Sequence, residues 1–290
     1  MVAETGNCGM GMNGAAIDDP RLRDCDGLAR LLAQAAGAAA AVLLAKRAAR
    51  DVRLKADGSP VCSADLEADK AAKAALARLL PGIPVVSEES VAAVAPGRVF
   101  VLLDPLDGTR EFLAGGDSYC VAIAVVRDGR PIAGAIAAPA SGRLWFGGEH
   151  AFAQALAADG RGEGEPRRIA VRPVPEGGPV TLVSRFHGDG RSEDIVHSMC
   201  ASARLPMSSA VKFGLIASGE ADLHVRVGQT MEWDIAAGDA ILAAAGGIVL
   251  TLDGTVPEYG RLDRHYCNPP FVAASSETLA RRAIGCAQAA

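Results

Sequence analysis

Aromatic residues are scarce in this chain. Phe, Trp and Tyr make up 4% of 290 residues, so its core must be built from Ala, Val and Leu, which suits tightly packed helix–sheet layers. Paired cysteines are missing as well. Cys8, Cys25, Cys62, Cys120, Cys200, Cys267 and Cys286 are odd in number, widely spaced and without a Cys-x-x-Cys pair. That excludes a disulfide frame and a zinc site and reads as reduced thiols of a cytoplasmic protein. There is no basic stripe. The net charge is −5 with Lys and Arg scattered, which excludes a nucleic-acid polymer as partner. A small polyanion stays possible provided that something cationic holds it.

Long hydrophobic runs are absent too. None reaches the roughly 18 apolar residues of a membrane span; Gln34, Lys46 and Arg47 bracket the longest, which is expected as a buried helix rather than a transmembrane segment. No basic stretch followed by an apolar one opens the chain, so no secretory signal is expected. Residues 1–19, rich in Gly, Asn and Met, read as a flexible leader. No amphipathic anchor stands out, peripheral contact with the inner membrane is left open, and a monomer and a homodimer are both compatible with the sequence.

What is present is an ordinary globular balance, 50% hydrophobic and 22% charged, at a length that suits two lobes. Apolar positions Leu28, Leu31, Leu32, Ala35, Ala39, Val42 and Leu43 recur at helical spacing. Residues 65–80 read as a second helix stopped by Pro81-Gly82. Short strands follow at 85–87 and 99–103, then a β-meander over 119–126, 131–138, 143–146 and 151–155, turned at Asp128-Gly129 and Ser141-Gly142. The Gly- and Pro-rich stretch 159–179 is the expected linker. Strands at 180–184, 221–226 and 247–251 then alternate with helices at 192–203, 209–218, 233–245 and from about 275. The expected organisation is an N-terminal α+β lobe over 20–160 that carries the acidic loop and a C-terminal α/β lobe over 161–290.

The loop Asp104-Pro-Leu-Asp-Gly-Thr109 carries the most information. Two aspartates directly after a buried strand place hard oxygen donors at a sheet edge, Pro105 stiffens the backbone, and Gly108 lets amides and the Thr109 hydroxyl face one point. Carboxylates of this kind bind Mg²⁺, and converging amides bind phosphate oxygens. A turn in which both aspartates merely cap backbone groups has the same spelling. Glu88 and Glu89 close another strand, either as ligands or as solvated loop carboxylates. Asp234, after Trp233, opens a helix whose dipole favours the ionised form, which fits a ligand and a plain cap equally. Asp65 also stands at a helix start.

Glu88-Glu89-Ser90, Asp104-Pro-Leu-Asp-Gly-Thr109 and Trp233-Asp234-Ile-Ala-Ala-Gly238 resemble, in order and separation, the three signature motifs of the Mg²⁺-dependent, Li⁺-sensitive inositol monophosphatase superfamily. The resemblance covers about residues 25–280. It implies an α/β protein with a layered αβαβα sandwich in two lobes and two or three Mg²⁺ ions held by Glu88, Asp104, the Leu106 carbonyl, Asp107 and Asp234. It also implies a phosphate held by Gly108, Thr109 and Asp234, an attacking water oriented by Thr109, and roles in catalysis for Glu88 and Asp65. One departure concerns Asp65: the usual Thr three residues earlier is Cys62, and a thiol is a weak hydroxyl substitute.

Inositol phosphatases of the family carry an acidic residue seven positions before the Asp of Trp-Asp, where this chain has Val227. Ser184-Arg-Phe-His187, Ser208-Ser209-Ala-Val-Lys212 and Arg226-Val-Gly-Gln-Thr230 instead look like segments of the CysQ-type 3′(2′),5′-bisphosphate nucleotidase branch, as does Asp104-Pro-Leu-Asp-Gly-Thr-Arg-Glu-Phe112. Phe186 and Met207 depart from the branch pattern. A second phosphate needs cations away from the metals, and Ser184, Arg185, His187 and Lys212 are the candidates, although Lys212 and His187 also read as ordinary surface residues. The expected activity is Mg²⁺-dependent removal of the 3′-phosphate of adenosine 3′,5′-bisphosphate, and of 3′-phosphoadenylyl sulfate, in sulfur metabolism. The alternative is an inositol monophosphatase or broad sugar-phosphate phosphatase of the same fold. An aspartyl-phosphate phosphatase is disfavoured, because its nucleophile motif keeps one residue between the aspartates rather than two.

Overall fold

The computed structural model describes residues 19–48, 51–54, 60–91, 97–186 and 188–289. Apart from Asp19, the expected leader lies outside the described residues. The chain runs α1 (Cys25–Ala45), β1 (Val52–Leu54), β2 (Pro60–Cys62), α2 (Ser63–Leu79), β3 (Val85–Ser87), β4 (Val99–Asp107), α3 (Thr109–Leu113), β5 (Cys120–Arg127), β6 (Arg130–Ala138), β7 (Arg143–Gly147), β8 (Ala151–Leu156) and β9 (Gly162–Ile169). It continues through β10 (Val180–Ser184), α4 (Gly190–Ser198), β11 (Ala203–Met207), α5 (Val211–Ala217), β12 (Leu223–Arg226), α6 (Glu232–Ala244), β13 (Ile248–Thr251), β14 (Phe271–Ala274) and α7 (Glu277–Ala289).

A seven-stranded sheet, in order β3 to β9, is separated by α5 and α6 from a five-stranded sheet ordered β11-β10-β12-β14-β13. In the large sheet only β3 and β4 are parallel, and the hairpins of the meander make the rest antiparallel. Alternation along β4 sets the layers. Val99, Val101 and Leu103 share a core with Leu28, Leu32 and Leu43 of α1 and Leu76 of α2. Phe100 and Leu102 face the other way, toward Phe213 of α5, Trp233 and Ile241 of α6, and Phe271 of the small sheet. The far face of that sheet, with Leu223, Val225 and Val272, is covered by Ile195 of α4 and Leu279 of α7. The result is the expected αβαβα sandwich.

Four differences from the sequence reading have clear causes. β9 occupies much of the expected linker and pairs with β8, so the large sheet extends to Ile169; its Gly and Pro are tolerated because it is an edge strand. β11 and β14, too short and mixed to show a period, complete the small sheet. Residues 104–107 are not a loop but the end of β4, with a bulge against β5 between Asp104 and Asp107. Finally, α1 is long and apolar enough to cross a membrane by length and composition, contrary to the expectation that no segment is. Its Ala-rich side is buried against the large sheet, with Ala29, Leu32, Ala36, Ala39 and Leu43 fully covered.

Candidate active site

The site begins where β4 leaves the large sheet. The Asp104 carboxylate accepts the Leu106 N–H at 3.0 Å, which closes the bulge around Pro105, a residue with no N–H of its own to pair. Gly108 takes φ 95° and ψ 39°, a left-handed geometry that glycine adopts without penalty. A Cβ there would lie 3.2 Å from the Ser118 carbonyl. The chain then turns into α3 and presents Thr109. Its hydroxyl donates to Asp65 Oδ1 at 3.1 Å and has the Leu106 carbonyl at 3.2 Å.

Asp65 is third in α2, and its other oxygen accepts both the Cys62 N–H at 2.9 Å and the Cys62 thiol at 2.8 Å. Cys62 thus supplies the side-chain donor that the sequence reading counted as weak. Burial, joined by the adjacent Asp65, pushes the Cys62 thiol up to about 12, so it stays protonated and able to donate. Burial also raises Asp65, against the pull of the Cys62 and Thr109 hydrogen bonds. The parallel pairing of β3 with β4 brings Glu88 to the same rim, its N–H donating to the Leu103 carbonyl at 3.1 Å.

The opposite wall comes from the small sheet and the helices between the sheets. Asp234 is third in α6 and accepts the Met231 N–H at 2.8 Å, so it is a cap and a cavity residue together. Asp107 accepts the Ala210 N–H from the turn before α5. Lys212 is buried, donates from Nζ to the Ser209 carbonyl at 2.7 Å, and sits beside Asp107. Burial, partly offset by Asp107, lowers its ammonium to about 8. These groups line a cavity of about 450 Å³ together with Glu88, Asp104, Leu106, Gly108, Thr109, Ser184 and Arg185.

Burial and mutual repulsion raise the carboxylates, Asp104 and Asp234 well above their ordinary range and Asp107 to about 6. Among the described residues no three of them are drawn into a closed ligand group. The donor set is nonetheless all hard oxygen, facing one cavity from both walls. It suits an ion that keeps several waters and takes few protein ligands, as Mg²⁺ does, and a bound divalent cation would remove the repulsion.

The structure therefore gathers Asp65, Glu88, Asp104, Leu106, Asp107, Gly108, Thr109, Ser184, Arg185, Lys212 and Asp234 around one space. His187 lies outside the described residues. Lys212 is neither on the surface nor remote from the acidic rim, a correction that follows from its place in the first turn of buried α5. Val227 does not face the cavity; its side chain packs with the outer apolar layer that contains Ile195 and Val225. Sequence reasoning left two of the residues here unassigned. Glu111 is buried between Arg185 and Ser208, and Arg226 lines a smaller adjoining cavity with Lys212. A charged residue inside an otherwise apolar strand was the available signal for Arg226.

Known proteins resemble this chain in sequence and in fold. The family described as the inositol monophosphatase family matches residues 24–288. The 3′(2′),5′-bisphosphate nucleotidase CysQ of Escherichia coli strain K12 is 34% identical over 232 residues, covering 76% of this chain and 87% of that protein. The crystal structure of CysQ from Bacteroides thetaiotaomicron, a bacterial member of the same family, superposes with a TM-score of 0.72 at 29% identity, over 85% of this chain and 96% of that one. An inositol monophosphatase from Zymomonas mobilis superposes with a TM-score of 0.70 at 27% identity, over 91% and 99%.

Proposed function

The chain belongs to the inositol monophosphatase family, and from that premise we propose that it is a magnesium-dependent phosphatase that removes the 3′-phosphate of adenosine 3′,5′-bisphosphate. Its sulfated parent, 3′-phosphoadenylyl sulfate, is the second substrate of this reading, which places the enzyme in the sulfur metabolism of the cytoplasm. The observation that carries it is the Asp65–Thr109 pair standing at one end of a wall of carboxylates, with Lys212 and Arg185 on the facing wall. The identity to relatives named 3′(2′),5′-bisphosphate nucleotidase supports the choice of substrate. The free state of the six described cysteines agrees with a reducing compartment.

Two or three Mg²⁺ ions, held by Glu88, Asp104, the Leu106 carbonyl, Asp107 and Asp234, would neutralise the phosphate dianion and acidify the attacking water. The chain's own residues do the rest. Gly108 and Thr109 hold the phosphate at the start of α3. Asp65 takes the Thr109 hydroxyl proton into a hydrogen bond, which leaves the Thr109 oxygen lone pairs to accept from the attacking water and aim it. Cys62 and its N–H hold Asp65 in place. Lys212 balances Asp107, and Arg185 stands at the mouth, where a second phosphate needs a planar donor.

Phosphate release from a panel of adenosine 3′,5′-bisphosphate, 3′-phosphoadenylyl sulfate, inositol 1-phosphate and fructose 1,6-bisphosphate, with and without Mg²⁺, tests the reading. The nucleotide is expected to exceed inositol 1-phosphate in kcat/KM by about tenfold or more, one charge-assisted contact being sufficient for that factor. Activity should vanish without Mg²⁺ and fall in millimolar Li⁺. Equal turnover of both esters would return the assignment to an inositol monophosphatase or a broad sugar-phosphate phosphatase.

A further inference from the structure

Glu111 is the least expected charge in the cavity wall. It lies two residues beyond Thr109 and is 1% exposed, a position where an ionised carboxylate is costly unless its oxygens are occupied. Both are. Oε1 accepts from the Arg185 guanidinium at 2.7 Å, and Oε2 accepts from the Ser208 hydroxyl at 2.8 Å. These partners come from the other sheet: Arg185 follows the end of β10, and Ser208 follows the end of β11. Space for the carboxylate is reserved by Gly116, where a Cβ would stand 2.0 Å from Oε1. Glu111 is thus the tie by which the helix that carries Thr109 grips the facing rim.

Arg185 keeps 44% of its side chain exposed and lines the cavity beside Ser208 and Arg110. A guanidinium has five N–H donors in a rigid fork. The contact with Glu111 uses one end, which directs the plane and leaves the remaining donors to the cavity. Without that anchor, a long side chain at the end of a strand would spread over many rotamers, and ordering it on binding would cost entropy.

We propose that Glu111 is a positioning residue for substrate choice: it holds Arg185 and Ser208 so that they receive the second, non-reacting phosphate of the nucleotide. This rests on the bisphosphate reading above. The Glu111 carboxylate is bonded to Arg185 and Ser208 rather than to the acidic rim, so its effect should appear in discrimination between substrates rather than in the chemical step.

The test compares kcat/KM for adenosine 3′,5′-bisphosphate with that for adenosine 3′-monophosphate, in wild-type enzyme and in Glu111→Gln, Arg185→Gln and the double variant. Glu111→Gln conserves shape while removing the charge. In each single variant the ratio is expected to fall about tenfold, as loss of a charge-assisted contact implies, mostly through KM of the bisphosphate. The double variant should fall no further, because both changes disable one device. A retained ratio in folded Glu111→Gln, equal losses on both substrates, or losses that add in the double variant would overturn the proposal. If Glu111→Gln fails to fold, Arg185→Gln decides alone: its side chain is half in solvent, and an unchanged ratio there rejects the device. Wild-type enzyme that does not favour the bisphosphate rejects the substrate reading first, and the role of Glu111 falls with it.

Discussion

The wall of the cavity made by the large sheet and the wall made by the small one are built in different ways. On the large-sheet side, Asp104, Leu106, Asp107, Gly108 and Thr109 are one short segment, and backbone N–H groups fix the carboxylates: Leu106 N–H on Asp104 and Cys62 N–H on Asp65. On the other side, Ser184, Arg185, Lys212 and Arg226 arrive from three different elements and are held mainly through side chains. Backbone hydrogen bonds leave little freedom to the first wall. Long flexible side chains leave the second wall adjustable. The division is between a rigid wall and a tunable one.

The sharpest way to break the comparison is at Asp107, which belongs to the first wall and is held by the second. Asp107→Asn keeps an acceptor for the Ala210 N–H but would weaken a proposed Mg²⁺ ligand, and kcat is expected to drop by about a hundredfold or more. A titration of activity with Mg²⁺ checks this, with the midpoint moved to higher concentration. Near-normal turnover at low Mg²⁺ would remove Asp107 from the metal site.

Thr109→Ala comes next. On the proposed mechanism the hydroxyl aims the attacking water, so kcat should fall by about ten- to a hundredfold with little change in KM. A rise in KM alone would reduce Thr109 to a phosphate holder and leave the water without a guide. On the second wall, Lys212→Met is expected to cost about tenfold, and on every phosphate ester alike, since the Lys212 charge acts on Asp107 across the cavity they both line rather than at a remote subsite. An effect confined to the nucleotide would place it with Arg185 instead. Initial rates on the substrate panel distinguish the two outcomes.

The smallest effect is expected at Asp239, on the same helix as Asp234 but turned away from the cavity. Burial raises its carboxyl to about 6, against the pull of Arg130 and the Tyr259 hydroxyl, which donates to it at 2.8 Å. A carboxyl whose folded pKa lies above its unfolded value stabilises the fold in its protonated form. That contribution is complete below about pH 4 and is lost as pH rises through about 6. Asp239→Asn should remove this slope, worth about 1–3 kcal/mol, from a plot of Tm against pH. An unchanged slope would assign the titration elsewhere.

Much of the first wall was legible before any fold was known. A buried strand followed by Asp-Pro-Leu-Asp-Gly-Thr states a bulge, a left-handed turn and a helix start in consecutive letters, since each depends on neighbours a few residues away. The helical period of α1 and the alternation of the meander strands were legible for the same reason. Even so, the local reading stopped β4 at Leu103, because the bulge that carries it on to Asp107 needs β5 as its partner.

The second wall shows where local pattern runs out. Residues of a strand end point into the cavity or out of it according to register, and one step reverses every side chain. Val227 was therefore expected at the substrate and lies instead in the outer apolar layer. Lys212 has the spelling of a surface lysine and is buried because α5 is sandwiched between two sheets. Cys62 looks like a poor hydroxyl substitute, yet the start of α2 points its thiol straight at Asp65. The order of carboxylates, the β4–α3 turn and the helix periods were determined by sequence alone, through hydrogen bonds and periodicities that close within a few residues. Which charges face the cavity, and that Glu111 reaches across to Arg185, was decided only when two sheets distant in sequence closed on either side of α5 and α6 and set the direction of each side chain.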